Sequence, residues 1–125
     1  MIGNVLILMT AVFSVIYLGA CAYAHLASDS MIFPVPLASY IDDDEFIKLK
    51  SVDGEVISAY FLEADKPGPV ILYSHGNGED IGYIRPLLEE FQKKGVSAFA
   101  YDYPGYGTST GKPSEQGVYA AADAA

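Results

Sequence analysis

The rhythm of apolar and polar positions changes repeatedly along this chain, and each change marks an element. From Met1 to Ala27 apolar residues dominate, with no Lys, Arg, Asp or Glu among them. The 20 residues Val5–Ala24 are long enough to span a bilayer core, which needs roughly 20 apolar residues. Ser28–Tyr40 has no clear period and holds Pro34 and Pro36, so it reads as an extended linker or crossing segment. Phe46–Lys50 then alternates, with Ile47 and Leu49 on one face and Lys48 and Lys50 on the other, as a half-exposed strand does. Asp53-Gly54 makes a tight turn into a second strand, Glu55–Leu62, and the pair predicts an antiparallel hairpin.

A different pattern follows. Val70, Ile71, Leu72 and Tyr73 form an unbroken apolar run bounded by Pro69 and a Gly-rich turn, the mark of a strand covered on both faces. Ile84, Leu87, Leu88 and Phe91 recur at helical spacing, with Arg85, Glu89, Glu90, Gln92, Lys93 and Lys94 on other faces. Pro86 fits such a helix only in its first turn, which places the start near Tyr83, and Gly95 is the stop. Val96–Tyr101 is another strand. Strand, helix and strand between Val70 and Tyr101 predict one βαβ unit, with a parallel pair and a right-handed crossover. Ser114 is placed to cap a last helix running from Glu115 through Val118, Tyr119, Ala121, Ala122 and Ala125.

Composition narrows the function classes. A chain of 125 residues has room for one domain at most, and the first 27 fall outside it. The expected division is 1–27 as signal peptide or membrane anchor, 28–45 as linker and 46–125 as the folded domain. A net charge of −9 with seven Lys plus Arg excludes nucleic acid as a partner, since phosphate binding needs a basic surface. One cysteine rules out an internal disulfide framework, and the spacing of Cys and His offers no zinc site. Asp42, Asp43, Asp44 and Glu45 lack the Gly and the spaced ligands of a calcium loop and read as a solvated turn.

Three readings of the apolar N-terminus stand side by side. Leu18-Gly19-Ala20-Cys21 resembles the lipobox of bacterial lipoprotein signal peptides, in which the cysteine is lipidated after cleavage. An uncleaved signal anchor suits the same segment, and the basic region that usually opens a signal peptide is missing. A buried core helix is the third. Both export readings place the domain outside the cytoplasm, while the absence of flanking Lys or Arg leaves the charge-based orientation rule silent.

Candidate chemistry sits in the loops that follow the two parallel strands. In Ser74-His75-Gly76-Asn77-Gly78 the two glycines let the backbone turn sharply and approach a bound group, and Asn77 carries a backbone N–H into that turn. Asp102-Tyr103-Pro104-Gly105-Tyr106-Gly107 closes the later strand. Gly107-Thr108-Ser109-Thr110-Gly111 spells Gly-x-Ser-x-Gly, yet no strand runs into it and Lys112-Pro113 precedes any helix, so the setting of a nucleophile elbow is missing. Ser109 accordingly reads as a loop hydroxyl bonding nearby backbone. His75 reads as a residue that fixes its loop by hydrogen bonding, and Asp102 as one that bonds locally to backbone at a strand end.

Taken together, the hairpin, the strand ending in Ser74-His75-Gly76-Asn77-Gly78, the helix, the strand ending in Tyr101-Asp102-Tyr103-Pro104-Gly105-Tyr106-Gly107, and Ser109–Ser114 resemble the front half of an α/β-hydrolase. More narrowly, the chain is similar to the branch holding serine-aminopeptidase-like hydrolases and membrane-associated protein depalmitoylases. The resemblance covers about Phe46–Ala125. It implies an α/β fold with an incomplete α/β-hydrolase sheet, an antiparallel hairpin followed by a βαβ unit, preceded by a hydrophobic helix. It implies that the backbone N–H of Asn77 is one donor of an oxyanion hole, supported by His75, Gly76 and Gly78. Such donors contribute about 2.7 to 4 kcal/mol each to acyl transfer. The second donor, the serine nucleophile, the acid and the base come later in this family, in the order serine, acid, histidine. By position neither His25 nor His75 is that base. A last helix of ordinary length and a short connection place the elbow at about position 135 to 150. The expectation is a fragment of a serine hydrolase acting on an ester, thioester or amide, inactive alone, with an acyl-type small-molecule or peptide substrate for the whole protein. No metal or organic cofactor is implied. The alternative is a non-catalytic, membrane-anchored binding module built on the half-sheet.

Overall fold

The computed structural model describes residues 2–125, which fall into two units, the first ending at Ile32 and the second running Phe33–Ala125. The first is a single helix, α1 (Ile2–Ile32). It is long and apolar enough to cross a membrane by length and composition, and none of it is buried. At 1.5 Å per residue its 31 residues span about 46 Å, more than a hydrocarbon core of roughly 30 Å. The helix runs on past Ala27, the boundary expected from sequence. No Gly or Pro interrupts Leu26–Ile32, and the stop comes at Phe33, where the following Pro34 disfavours the helical region.

The second unit is built on a four-stranded sheet. Its strands are β1 (Phe46–Lys50), β2 (Val56–Leu62), β3 (Val70–Ser74) and β4 (Ser97–Tyr101), in the order β1-β2-β4-β3. The hairpin is antiparallel, with Phe46 opposite Tyr60 and Lys50 opposite Val56. β2 pairs antiparallel with β4, and β3 runs parallel to β4 from Val70↔Ser97 to Ser74↔Tyr101. Helix α2 (Ile81–Lys93) crosses between the parallel strands, and α3 (Glu115–Ala124) ends the chain. Alternate residues of the central strands bury against different helices. Ala98 and Ala100 of β4 pack with Tyr60 and with Ile81, Ile84 and Leu88 of α2, while Tyr101 packs with Ile57, Ala59 and Ala121 of α3. The alanines let the helices lie close on the sheet, and the long side chains opposite fill the space.

Helix α2 begins two residues before the expected start at Tyr83, which leaves Pro86 well inside it. Capping explains the difference. Asp80 accepts the Tyr83 N–H at 2.9 Å, and the Ile81 N–H, one of the donors a helix start leaves unsatisfied, reaches the Asp102 carboxylate at 2.9 Å. Two carboxylates at the first turn offset the ladder bond that Pro86 cannot donate. Ser114 caps α3 as its position predicts, accepting the Gly117 N–H at 3.0 Å.

The stretch 33–45 is bound into this unit rather than left as a linker. The Ser39 N–H reaches Asp80 Oδ2 at 2.6 Å and the Ser39 hydroxyl donates to Asp80 Oδ1. Tyr40 stacks on Phe46 with ring centroids 4.3 Å apart. Asp42 pairs with Lys48 at 2.7 Å and Glu45 with Arg85 at 2.7 Å.

Candidate functional site

Both parallel strands end at the same end of the sheet, the carboxyl end of each strand, and their loops meet there. After Ser74 the chain makes a turn over Gly76–Glu79, closed by the Glu79 N–H on the Gly76 carbonyl at 3.2 Å. Gly78 stands third in the turn with φ +79°, the left-handed value a type II turn demands there. A residue with Cβ at that position is strained. Gly76, Asn77 and Gly78 are exposed, whereas His75 is buried. None of them takes part in the strand ladder, whose last pair is Ser74↔Tyr101.

The loop after β4 supports that turn from beneath. Tyr103-Pro104-Gly105-Tyr106 is a turn closed by the Tyr106 N–H on the Tyr103 carbonyl at 3.0 Å, with Gly105 at φ +79°. The Tyr103 hydroxyl donates to the His75 carbonyl at 2.7 Å. The Tyr106 hydroxyl donates to Asn77 Oδ1 at 3.1 Å. Both tyrosine rings pack on His75, with centroids at 4.1 and 5.4 Å. A charge-assisted bond comes from Glu79, whose carboxylate accepts the Gly76 N–H at 2.8 Å.

Beneath His75 lies Asp102, with a side chain that is 0% exposed. Its Oδ1 accepts the Ile81 N–H and faces His75 Nε2 at 3.5 Å, and its Oδ2 accepts the Tyr40 hydroxyl at 2.5 Å. Burial pushes the Asp102 carboxyl up to about 6, against the hydrogen bonds from Tyr40 and Ile81 that favour the anion. Burial also lowers the pKa of His75, opposed by its bond to Gly76 and the charges of Asp80 and Glu79. Tyr40 is held well above its ordinary range by burial and by the adjacent Asp102. Beside the turn a slot of about 260 Å³ opens between Pro36, Leu37, Ser39, Gly78, Asp80 and Tyr83. Among the described residues no group of three or more His, Cys, Asp or Glu side chains is placed to hold a metal ion.

Known proteins are similar to this chain. α/β-Hydrolase domain-containing protein 17C of Xenopus tropicalis is 34% identical over 88 residues, 68% of this chain and 28% of that protein. Protein 17B of Xenopus laevis is 45% identical over 56 residues, 44% of this chain and 19% of that protein. A solved esterase of Pyrococcus furiosus superposes with a TM-score of 0.54 at 20% identity, covering 72% of this chain and 38% of the esterase. The chain belongs to the α/β-hydrolases. No protein-family model matches it. It spans only about a fifth to a quarter of the length of the curated relatives cited.

Within this α/β-hydrolase chain the structure places Gly76, Asn77 and Gly78 in one exposed turn at the carboxyl end of β3, with His75 buried just before it. Ser109 lies elsewhere in the network. Its hydroxyl accepts the Ser58 N–H of β2 at 2.9 Å, and its own N–H closes a turn on the Tyr106 carbonyl, so it serves as a tie between loop and sheet. Asp102 does more than the local turn bonding its position suggested. Its carboxylate reaches Ile81, Tyr40 and His75, each far away in sequence. Tyr40, Ser39 and Asp80 were not singled out by sequence either. Asp80 had a readable signal, an Asp three residues before Tyr83 at a helix start. Tyr40, in a stretch without period, had none.

Proposed function

We propose that this chain is the N-terminal portion of a membrane-held serine hydrolase that cleaves an ester, thioester or amide, and that its turn at Gly76–Glu79 supplies one side of the oxyanion hole. The Asn77 N–H is the assigned donor, with His75, Gly76 and Gly78 as the supporting loop. The observation that carries this reading is the exposed type II turn at the carboxyl end of β3, braced by Tyr103, Tyr106 and Glu79. A rigid, exposed turn of backbone amides is what stabilisation of a tetrahedral oxyanion requires, since a donor fixed in advance pays no reorganisation as charge develops. Serine chemistry needs no metal or organic cofactor. The nucleophile, acid and base belong to polypeptide beyond Ala125, in keeping with relatives several times longer.

The apolar N-terminal segment tethers the protein to a membrane in this reading, either as an uncleaved span or, after cleavage before Cys21, through a lipid on that cysteine, whose thiol is exposed. The substrate is an acyl-type small molecule or peptide, and the domain lies on the exported side. A fluorophosphonate probe tests the proposal. The 125-residue chain is expected to stay unlabelled, and the polypeptide read through the coding frame past Ala125 is expected to label at a serine after the next apolar run. Labelling at Ser109, or no labelling of the extended chain, overturns it.

A further inference from the structure

The buried contact between His75 and Asp102 contains an unsolved problem of proton count. His75 Nδ1 lies 2.9 Å from the Gly76 carbonyl, which can only accept, so Nδ1 carries a hydrogen. Nε2 is buried with no hydrogen-bond partner at normal distance, and what it faces is Asp102 Oδ1 at 3.5 Å. If Nε2 is bare and Asp102 ionised, a lone pair opposes a carboxylate and a charge is buried with no cation against it. That arrangement is costly in an interior where both side chains are 0% exposed. One proton between the two atoms removes both faults, whether it rests on nitrogen or on oxygen.

We propose that His75 and Asp102 share a single proton across this gap, which makes Asp102 a positioning residue that sets the Gly76–Glu79 turn through the imidazole. The path is short: Asp102 to Nε2, Nδ1–H to the Gly76 carbonyl, and that same carbonyl to the Glu79 N–H that closes the turn. Loss of the proton to solvent leaves a neutral imidazole and a carboxylate that repel, and the ring then drags the Gly76 carbonyl from its place. The groups facing the pair fix the direction of its response. Tyr40 donates to Asp102 and so favours the anion, as Lys48 does at longer range. The carboxylates of Asp80 and Glu79 favour retention of the proton, and the rings of Tyr103 and Tyr106 close the pair off from water. Gly107 lies so near that a Cβ there would meet Asp102 Oδ2 at 1.9 Å, so the glycine leaves the room this carboxylate occupies.

This inference takes from the proposed function only the role of the turn, and its readout needs no turnover, so either can fail without the other. The test is a pH titration of the 125-residue chain in detergent micelles, following the His75 ring nitrogens and the Gly76, Asn77, Gly78 and Glu79 amides by ¹⁵N NMR. The expected result is one step at about pH 6 or above in which the Nε2 shift and the turn amides move together. Tyr40→Phe, which removes the donor to Asp102, is expected to carry that step to higher pH, and Asp102→Asn to abolish it. A step in Nε2 that leaves the amides still, a step unmoved by Tyr40→Phe, or no step at all overturns the proposal. Should Asp102→Asn fail to fold, the wild-type curve and Tyr40→Phe decide.

Discussion

The loop after β3 and the loop after β4 look alike on paper, both short, glycine-rich and punctuated by polar residues, yet the fold uses them in opposite ways. Gly76, Asn77 and Gly78 are exposed. Asp102, Pro104 and Tyr106 of the other loop are fully buried. One loop faces solvent, and the other is the floor on which the first is held. The difference follows from sheet order. β4 is central, between β2 and β3, so the chain leaving it must pass over the middle of the sheet, while β3 stands at the edge. Glycine at the display loop supplies a turn conformation, whereas Gly107 in the floor supplies room for a carboxylate. Substitutions in the two loops should therefore differ in kind as well as in size.

The largest effect is expected in the floor. Gly107→Ala places a methyl on Asp102 Oδ2 and keeps φ near +51°, and should cost about 3 kcal/mol or more, read as a fall in the urea midpoint. Next comes pH. Asp102 is raised in the fold from 3.8 to about 6, so its contribution to stability is full below 3.8 and is lost as pH rises through about 6. The loss is on the order of 3 kcal/mol. His75, lowered by burial, acts with the opposite sign, since its contribution is lost as pH falls below the ordinary histidine range. Denaturation midpoints taken across pH should show the Asp102 limb in the wild type and its absence in Asp102→Asn.

A smaller cost is expected for Ser109→Ala. It strips the Ser58 N–H of its acceptor in the floor, and a drop of about 1–2 kcal/mol in the same measurement would mark the serine as structural. Gly78→Ala in the display loop meets only the Pro34 carbonyl, at 4.0 Å, so strain at φ +79° is its whole penalty. About 1 kcal/mol of stability should be lost, with amide exchange speeding at the turn and not in β4. An equal loss for Gly78→Ala and Gly107→Ala would erase the distinction between display and floor.

Much of this was legible beforehand where the signal is local. The helical spacing of Ile84, Leu88 and Phe91 reports the face of α2 that packs on the sheet. The two strands β1 and β3 were placed by their patterns but their faces were not: Val70 and Leu72 of the edge strand β3, expected to be covered on both sides, are exposed, and in β1 Ile47 is exposed while Phe46 packs on the core. The start of α2 was misplaced because Pro86 argues from within the helix, while the Ile81 N–H is satisfied by Asp102, 21 residues on. Tyr40 was unreadable for the same reason, its partner lying 62 residues away.

The sequence by itself determined the apolar α1, the hairpin, the βαβ unit, the Ser114 cap and the membership of the His75–Gly78 turn, because each depends on residues within a few positions of one another. Only the tertiary structure decided which loop is displayed and which lies beneath it, where α2 begins, and that a histidine and an aspartate meet in a space closed to water. Those outcomes depend on the order of strands in the sheet, which brings together groups whose separation along the chain carries no trace of their contact.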